Sequence, residues 1–275
     1  MSFIYRRGKT QIDHRHTKAP LKLQRPFYPE GDRCCHTVML HTAGGIVGGD
    51  CLHHRLTLHP DAHALVTTAA AAKVYRSAGG TALQTTEITI ESGACLEWFP
   101  QEIILFNGAH YRQQVHVSLA ADALWLGWDI VRLGRSARGE TLQSGSWRSE
   151  TVVHQGGKPV WIDLVGINGD SELLSSLNGL NQAPVVGTFV AIGRDAPPSL
   201  VAACRQQAIA VQAAHQTGVS GDRSPKFGVT RLMSGLLCRY QGASSAQARQ
   251  WFEGVWSVVR EHHLQRSGCR PRVWP

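Results

Sequence analysis

The chain lacks most of the features that announce a chemistry. Charged residues fill only 17% of its 275 positions while hydrophobic ones reach 43%, so a packed core is feasible and disorder is disfavoured. No apolar stretch of about 18 residues is present to cross a membrane, and the N-terminus has no charged-then-apolar export pattern. The cysteines never fall in C-x-x-C spacing, and their number, 7, is odd. Reduced thiols and a cytoplasmic setting are therefore expected. No G-x-S-x-G elbow occurs. A net charge of +8 and a pI near 9.4 invite a nucleic-acid reading. The positive residues are scattered, however, without a Lys/Arg run or a nucleic-acid motif. Acidic protein partners explain the charge as well.

What is present begins with HTAGGIVGGD at 41–50. Gly44, Gly45, Gly48 and Gly49 enclose Ile46 and Val47 and lead to Asp50. Glycine at this density signals positive φ or close backbone approach, hence a tight, specific loop. Gly44 and Gly49 have phosphate-loop spacing, but Asp50 and Cys51 stand where Lys and Ser or Thr are required. An anion there repels phosphate. No G-x-G occurs either, which removes the dinucleotide fingerprint. The plain alternative is a structural turn with a surface Asp.

Alternation and β-branched content predict strands at 21–23, 33–41, 51–58, 64–68, 83–92, 95–99, 102–106, 111–119, 123–131, 147–153, 159–165 and 185–192. Leu52, His54, Leu56 and Leu58 share one face of their strand, and Cys51, His53 and Arg55 the other. Turn-spaced strands of this kind build a sandwich, a barrel or stacked sheets. No sequence repeat of roughly 20–50 residues is visible. Helices are expected at 199–216, with Leu200, Cys204, Ala208 and Val211 on one face, and at 245–264. Ser244 and Gln247 make a capping box for the second. Residues 226–240 fit helix or strand. The expected organisation is a β-rich body over 1–195 and a helix-containing part over 196–275, packed together as one domain.

Cys and His crowd the stretch from Cys34 to His63, but the spacings of a closed zinc site are absent, so no tightly bound cofactor is expected. His54, on an apolar face, reads as a satisfied core histidine. Asp129 lies close to Trp125 and Trp128, so it is expected to be buried and to need Arg132, Arg135 or a wet cavity. Asp163, between Ile162 and Leu164, poses the same problem; Glu140 is less constrained. A cysteine-dependent hydrolase on a β scaffold and a basic nucleic-acid-binding protein remain the alternatives to the reading that follows.

HTAGGIVGGD resembles the signature of the UreD (UreH) family of urease accessory proteins. TTAAAAKVYRS at 67–77, LEWFPQEIILFNGA at 96–109, GWDIVRLGRSARGE at 127–140 and RPRVWP at 270–275 resemble further family segments in the same order. Ala69 and Asn107 depart from the pattern, where Pro and Asp are usual. The resemblance implies a mainly β fold of twisted, β-helix-like stacked sheets with two or so helices near the C-terminus. It implies a non-enzymatic maturation chaperone that works with UreF and UreG on apo-urease while the nickel centre forms, UreG supplying GTP hydrolysis. No membrane or nucleic-acid role is implied, and nickel would be held only transiently.

A cation cannot cross a dry apolar core, and separate single carboxylates release what they bind. The expected route residues are therefore Asp50, Asp129, Glu140 and Asp163. Asp50 and Asp129 should face one hydrated cavity, with Lys73 as the charge partner. The surface that docks UreF is expected at Trp251, Trp256, Arg272 and Trp274, because positions 251 and 256 stand about 140° apart on a helix and one face does not bury both.

Overall fold

The computed structural model describes residues 1–214 and 224–274. The last two residues of the helix expected at 199–216, and Pro275 of the tail, lie outside the described residues. The chain opens with a hairpin, β1 (Ser2–Arg6) and β2 (Lys9–His14), then β3 (Leu21–Leu23). There follow β4 (Cys34–His41), β5 (Cys51–Leu58), β6 (His63–Thr68), the short β7 (Ala72–Val74), β8 (Ala82–Ile90), β9 (Cys95–Phe99) and the short β10 (Ile103–Leu105). Next come β11 (His110–Leu119), β12 (Leu124–Leu133), β13 (Ser146–Gln155), β14 (Lys158–Asn168) and β15 (Val185–Ile192). The C-terminal part is α1 (Pro198–Ala214), the hairpin β16 (Lys226–Leu232) and β17 (Gly235–Gly242), and α2 (Ser245–Leu264). No helix among the described residues is long and apolar enough to cross a membrane.

The strands form two sheets. One runs β14-β13-β11-β8-β5-β1-β2, the other β16-β17-β15-β12-β9-β6-β4-β3. Parallel ladders join β5, β8, β11 and β13 in the first and β4, β6, β9 and β12 in the second. Each loop of chain lays one strand in each sheet, and the stacked coils make a β-solenoid-like body of about 3 turns. A third side closes the coils: Ile46 bridges to Val74, Val74 pairs with Leu105, and Leu105 with Leu133. These four recur roughly 30 residues apart, a solenoid period, but only their apolar character repeats.

Residues 226–240 form the β16–β17 hairpin. Ser244 caps α2 by accepting the Gln247 N–H. The reciprocal half of the expected capping box is not made, because Gln247 Oε1 accepts from the Tyr240 hydroxyl at 2.9 Å. Both helix tryptophans are buried inside the chain itself. Trp251 meets Phe227 edge-on at 5.0 Å, and Trp256 meets Phe99 at 5.5 Å.

The helix layer is tied to the second sheet by a buried ion network. Arg260 on α2 is 0% exposed. Its guanidinium donates to Glu97 on β9 at 3.1 Å and to Glu30 at 2.8 and 2.9 Å. Glu97 also holds His63 at 2.5 Å and accepts the Trp256 indole N–H, while Glu30 holds His36 at 2.7 Å. Burial alone would raise the Glu30 carboxyl, but the His36 hydrogen bond and the Arg260 charge bring it down to about 2. Arg260→Ala would leave buried Glu97 without its guanidinium and Glu30 with only the longer Arg266 guanidinium contact at 3.7 Å. It should destabilise the chain by about 3–5 kcal/mol in urea unfolding, with Arg260→Lys recovering part of the loss.

Candidate functional site

The inward faces of the solenoid are not apolar throughout. Along β8, Ala82 belongs to one apolar cluster and Ile88 and Ile90 to another, but Gln84 and Thr86 between them face a cavity. The pattern repeats on β11, where Gln113 follows Tyr111, and on β13, where Ser149 and Thr151 separate Trp147 from Val153. Because the coils stack in register, these polar positions align into one lining across successive strands. The cavity has a volume of about 190 Å³, room for several waters. It runs from His41 and His54 on the first coil to Asp129, Asp163 and Thr188 at the far strands. Exposed Ala43, Gly44, Ala70 and Lys73 also line it, so it reaches solvent beside the glycine loop.

That loop is shaped by the coil stacked on it. A Cβ on Gly45 would lie 2.5 Å from the Tyr75 ring, and one on Gly48 2.1 Å from Ser77 Oγ. Gly49 has a φ of +90°. The Tyr75 hydroxyl donates to the Gly44 carbonyl at 2.9 Å. Asp50 completes the turn by accepting the Val47 N–H at 2.9 Å. It is not on the cavity wall, so its expected place opposite Asp129 is corrected: its carboxylate closes its own loop. Lys73 lines the mouth but forms no ion pair with Asp50.

Glu140 does not line the cavity either. It pairs with Arg135 and accepts the Asn107 N–H at 3.0 Å, and Asn107 in turn accepts the Gln143 and Ser144 N–H groups. Asp163 does line the cavity, but it is neutralised by Arg239 on β17 at 2.5 Å. Arg239 also donates to Thr188 at 2.6 Å.

Asp129 is different. Its carboxylate accepts from Gln113 Nε2, which also contacts Ser149 Oγ at 2.9 Å. The expected ion pair with Arg132 or Arg135 is not formed, because Arg132 donates to Ser136 and the Ala243 carbonyl, and Arg135 is taken by Glu140. Asp129 is enclosed by protein yet keeps accessible surface, and the two agree because that surface belongs to the cavity. Burial is the main cause that raises its pKa to about 6; the Gln113 bond opposes the rise, Asp163 adds to it and Arg239 offsets it. Four further residues of the lining, His41, His54, Trp125 and Trp147, leave a buried nitrogen unpartnered. Buried polar atoms in a polar space of this size bind water or a ligand. His54 is therefore not the satisfied core histidine expected: its Nδ1 lies 3.5 Å from Thr86 Oγ1 and its Nε2 is free. Burial is the largest cause lowering its pKa to about 4.

Gln113 and Arg239 were not among the residues singled out from sequence, and His41 and His54, though in the Cys- and His-rich stretch from Cys34 to His63, were not placed with Asp129. The available signal was phase: Gln84 and Thr86 share the alternation of Ile88 and Ile90, which places polar residues on a core face.

Elsewhere the structure brings together ligands that sequence spacing kept apart. Cys34, His63 and Glu97 converge, as do Glu30, Cys34 and His36. Arg260 already supplies the cation between Glu30 and Glu97. Burial pushes the thiols of Cys34, Cys95, Cys204 and Cys238 up, away from the range of a nucleophile.

The expected docking role of the tryptophans is corrected as well. Trp251, Trp256 and Trp274 are 0%, 1% and 8% exposed. Trp274 donates to Thr67 Oγ1 at 2.9 Å and packs on Trp128. The helical wheel was right that one face does not bury both helix indoles: Phe227 on β16 covers Trp251, and Phe99 on β9 covers Trp256. Only Arg272 stays at the surface, over the Phe27 ring at 3.6 Å.

The raised Asp129 pKa has a stability consequence. Between the ordinary 3.8 and about 6 the folded state holds the proton more tightly, so stability falls as pH rises through that window. Asp129→Asn should therefore stabilise the chain at pH near 7.5 by about 1–3 kcal/mol, the full shift being discounted for cavity water. The gain should vanish near pH 4 in urea titrations. A structural salt bridge would give the opposite sign.

The chain matches the model of the UreD urease accessory protein family over residues 1–275. The Urease accessory protein UreD of Trichormus variabilis is 49% identical across 98% of this chain and 92% of its own. That of a Nostoc species is 49% identical across 100% and 94%, and that of Methylobacillus flagellatus 37% across 100% and 92%. With the solenoid, the glycine loop and these relatives in agreement, the chain belongs to the UreD family of urease accessory proteins.

Proposed function

We propose that this chain acts in the cytoplasm with UreF and UreG on apo-urease, and that its cavity passes nickel as transient cargo. The observation that carries the cargo reading is Asp129, a carboxylate on the wall of an internal polar cavity with no cation of its own. Nickel keeps much of its hydration only where water and oxygen ligands replace bulk solvent. Gln113, Ser149, Thr151, Thr188 and Asp129 offer such ligands or hold water for them. One carboxylate binds weakly enough to let go, which suits passage better than a closed cage. Arg239, paired to Asp163, keeps the far wall from becoming a second anionic trap.

No phosphate loop is present, so GTP hydrolysis falls to UreG in this reading. The cysteine-hydrolase alternative lacks support: five cysteines are buried, burial pushes the thiol of half-buried Cys269 up, and among the described residues the exposed Cys51 has only the Gly49 carbonyl as a hydrogen-bond partner, at 3.9 Å.

Asp129→Ala and Asp129→Asn should co-purify with urease and UreF as the natural chain does, while urease activation slows several-fold. Full activation by stable, assembled variants would remove Asp129 from the route. Loss of assembly would make its role structural.

A further inference from the structure

Two imidazoles in the cavity wall have a free nitrogen that nothing yet described employs. His41 ends β4 and His54 lies in the middle of β5, both on the first coil. Each leaves Nε2 buried without a hydrogen-bond partner, and both residues line the cavity. Their other ring nitrogens are engaged. His41 Nδ1 lies 3.3 Å from the Ala43 carbonyl oxygen. A carbonyl only accepts, so Nδ1 carries the hydrogen, and in the neutral ring a cation would meet, Nε2 keeps a bare lone pair. His54 Nδ1 meets the Thr86 hydroxyl of the neighbouring strand, which accepts from it in the tautomer that leaves Nε2 its lone pair, and its ring lies 6.3 Å from that of Trp98. An imidazole oriented through Nδ1, with Nε2 open to a cavity, has the arrangement of a metal ligand backed by an outer hydrogen bond.

Position sharpens the point. The lining runs along the solenoid axis, and strands stack about 4.8 Å apart. His41 and His54 belong to the first coil, Asp129 to β12, three strands further along the second sheet. By strand spacing Asp129 is therefore roughly 14 Å along the axis from His41, and roughly 10 Å from His54, whose strand β5 lies two strands from Gln113, the partner of Asp129. His41 is adjacent to the glycine-loop mouth, where Ala43, Gly44 and Lys73 also line the opening.

We propose that His41 and His54 form a nitrogen-donor station for a borderline-soft divalent cation at the mouth end of the cavity, distinct from the oxygen-donor station at Asp129. This rests on the cargo reading above and adds selectivity to it. Imidazole nitrogen favours nickel-class ions, whereas magnesium and calcium prefer oxygen ligands and water. A mouth lined by imidazole screens the abundant hard cations before they reach the carboxylate.

The test is calorimetric titration of the full-length chain with Ni²⁺, with and without a hundredfold excess of Mg²⁺. Three chains are compared: natural, His41→Gln/His54→Gln and Asp129→Asn. Exposed histidines such as His14 and His16 are present in all three and cancel in the comparison. The natural chain should show a nickel site that magnesium does not displace, and the double histidine variant should bind at least tenfold more weakly there. Asp129→Asn should retain that site within about twofold. Circular dichroism and the urea midpoint establish that the variants fold. If the double variant does not fold, the single His41→Gln, at the half-exposed mouth residue, carries the same comparison. A folded histidine variant with an unchanged nickel isotherm overturns the proposal. So does a natural-chain site that magnesium displaces. Activation assays on the same variants separate the two readings. Normal nickel binding by the histidine variants together with slow activation by Asp129→Asn leaves the cargo reading standing and the station refuted. The reverse pattern refutes Asp129 as a route residue and keeps the station.

Discussion

A carboxylate placed between two β-sheets without its own cation sets the terms for the surrounding structure. Asp129 cannot be sealed into hydrocarbon, because an unpaired buried charge costs far more than the packing around it returns. The solenoid answers with a polar middle. Gln84, Gln113, Ser149 and Thr151 are contributed at equivalent places by successive coils, with apolar clusters closing the interior on either side. In-register parallel stacking makes this possible, since the same row of each coil faces the same space. Asp163 shows the other solution available to a buried acid, a guanidinium from the neighbouring sheet. One acid is thus paired and the other left to the cavity.

The C-terminal helices protect the opposite face of the second sheet. Arg260, between Glu97 and Glu30, fixes α2 to β9 and to the segment before β4. Around it, Trp128, Phe99, Trp256 and Trp274 stack into an aromatic layer. The tail's last described residue, Trp274, is thus a core residue bonded to β6 through Thr67. Helix and tail brace the wall from outside, so the strand carrying Asp129 is held by hydrogen bonds within its sheet and by packing behind it.

Much of this was legible in the residues. β-branched alternation located most strands, and four glycines around Ile46 and Val47 marked a loop of fixed shape. The first two strands were missed because each is short and buries only one residue fully, Phe3 in Ser2–Arg6 and Thr10 in Lys9–His14. The β-helix-like stacking came from the family resemblance and not from a visible repeat, because Ile46, Val74, Leu105 and Leu133 share apolarity and nothing more specific. Asp129 was recognisable as an acid in apolar company, but its partner was not. Gln113 reaches it from another sheet, a pairing that no local spacing encodes. Asp50 and Glu140 misled for the converse reason: both are satisfied within a few residues, by the Val47 N–H and by Arg135. The tryptophans misled because helical geometry tells which indoles need covering, not what covers them.

The central claim is that the interior around Asp129 is wet and accepts a divalent cation. Diffraction from crystals soaked in nickel, recorded at the nickel absorption edge, tests it without reference to activation. The account predicts an anomalous peak at the Asp129 carboxylate, with ordered waters between Gln113, Ser149 and Thr151. Peaks confined to exposed histidines such as His14 and His16, with Asp129 bonded only to Gln113 in a dry interior, would contradict it.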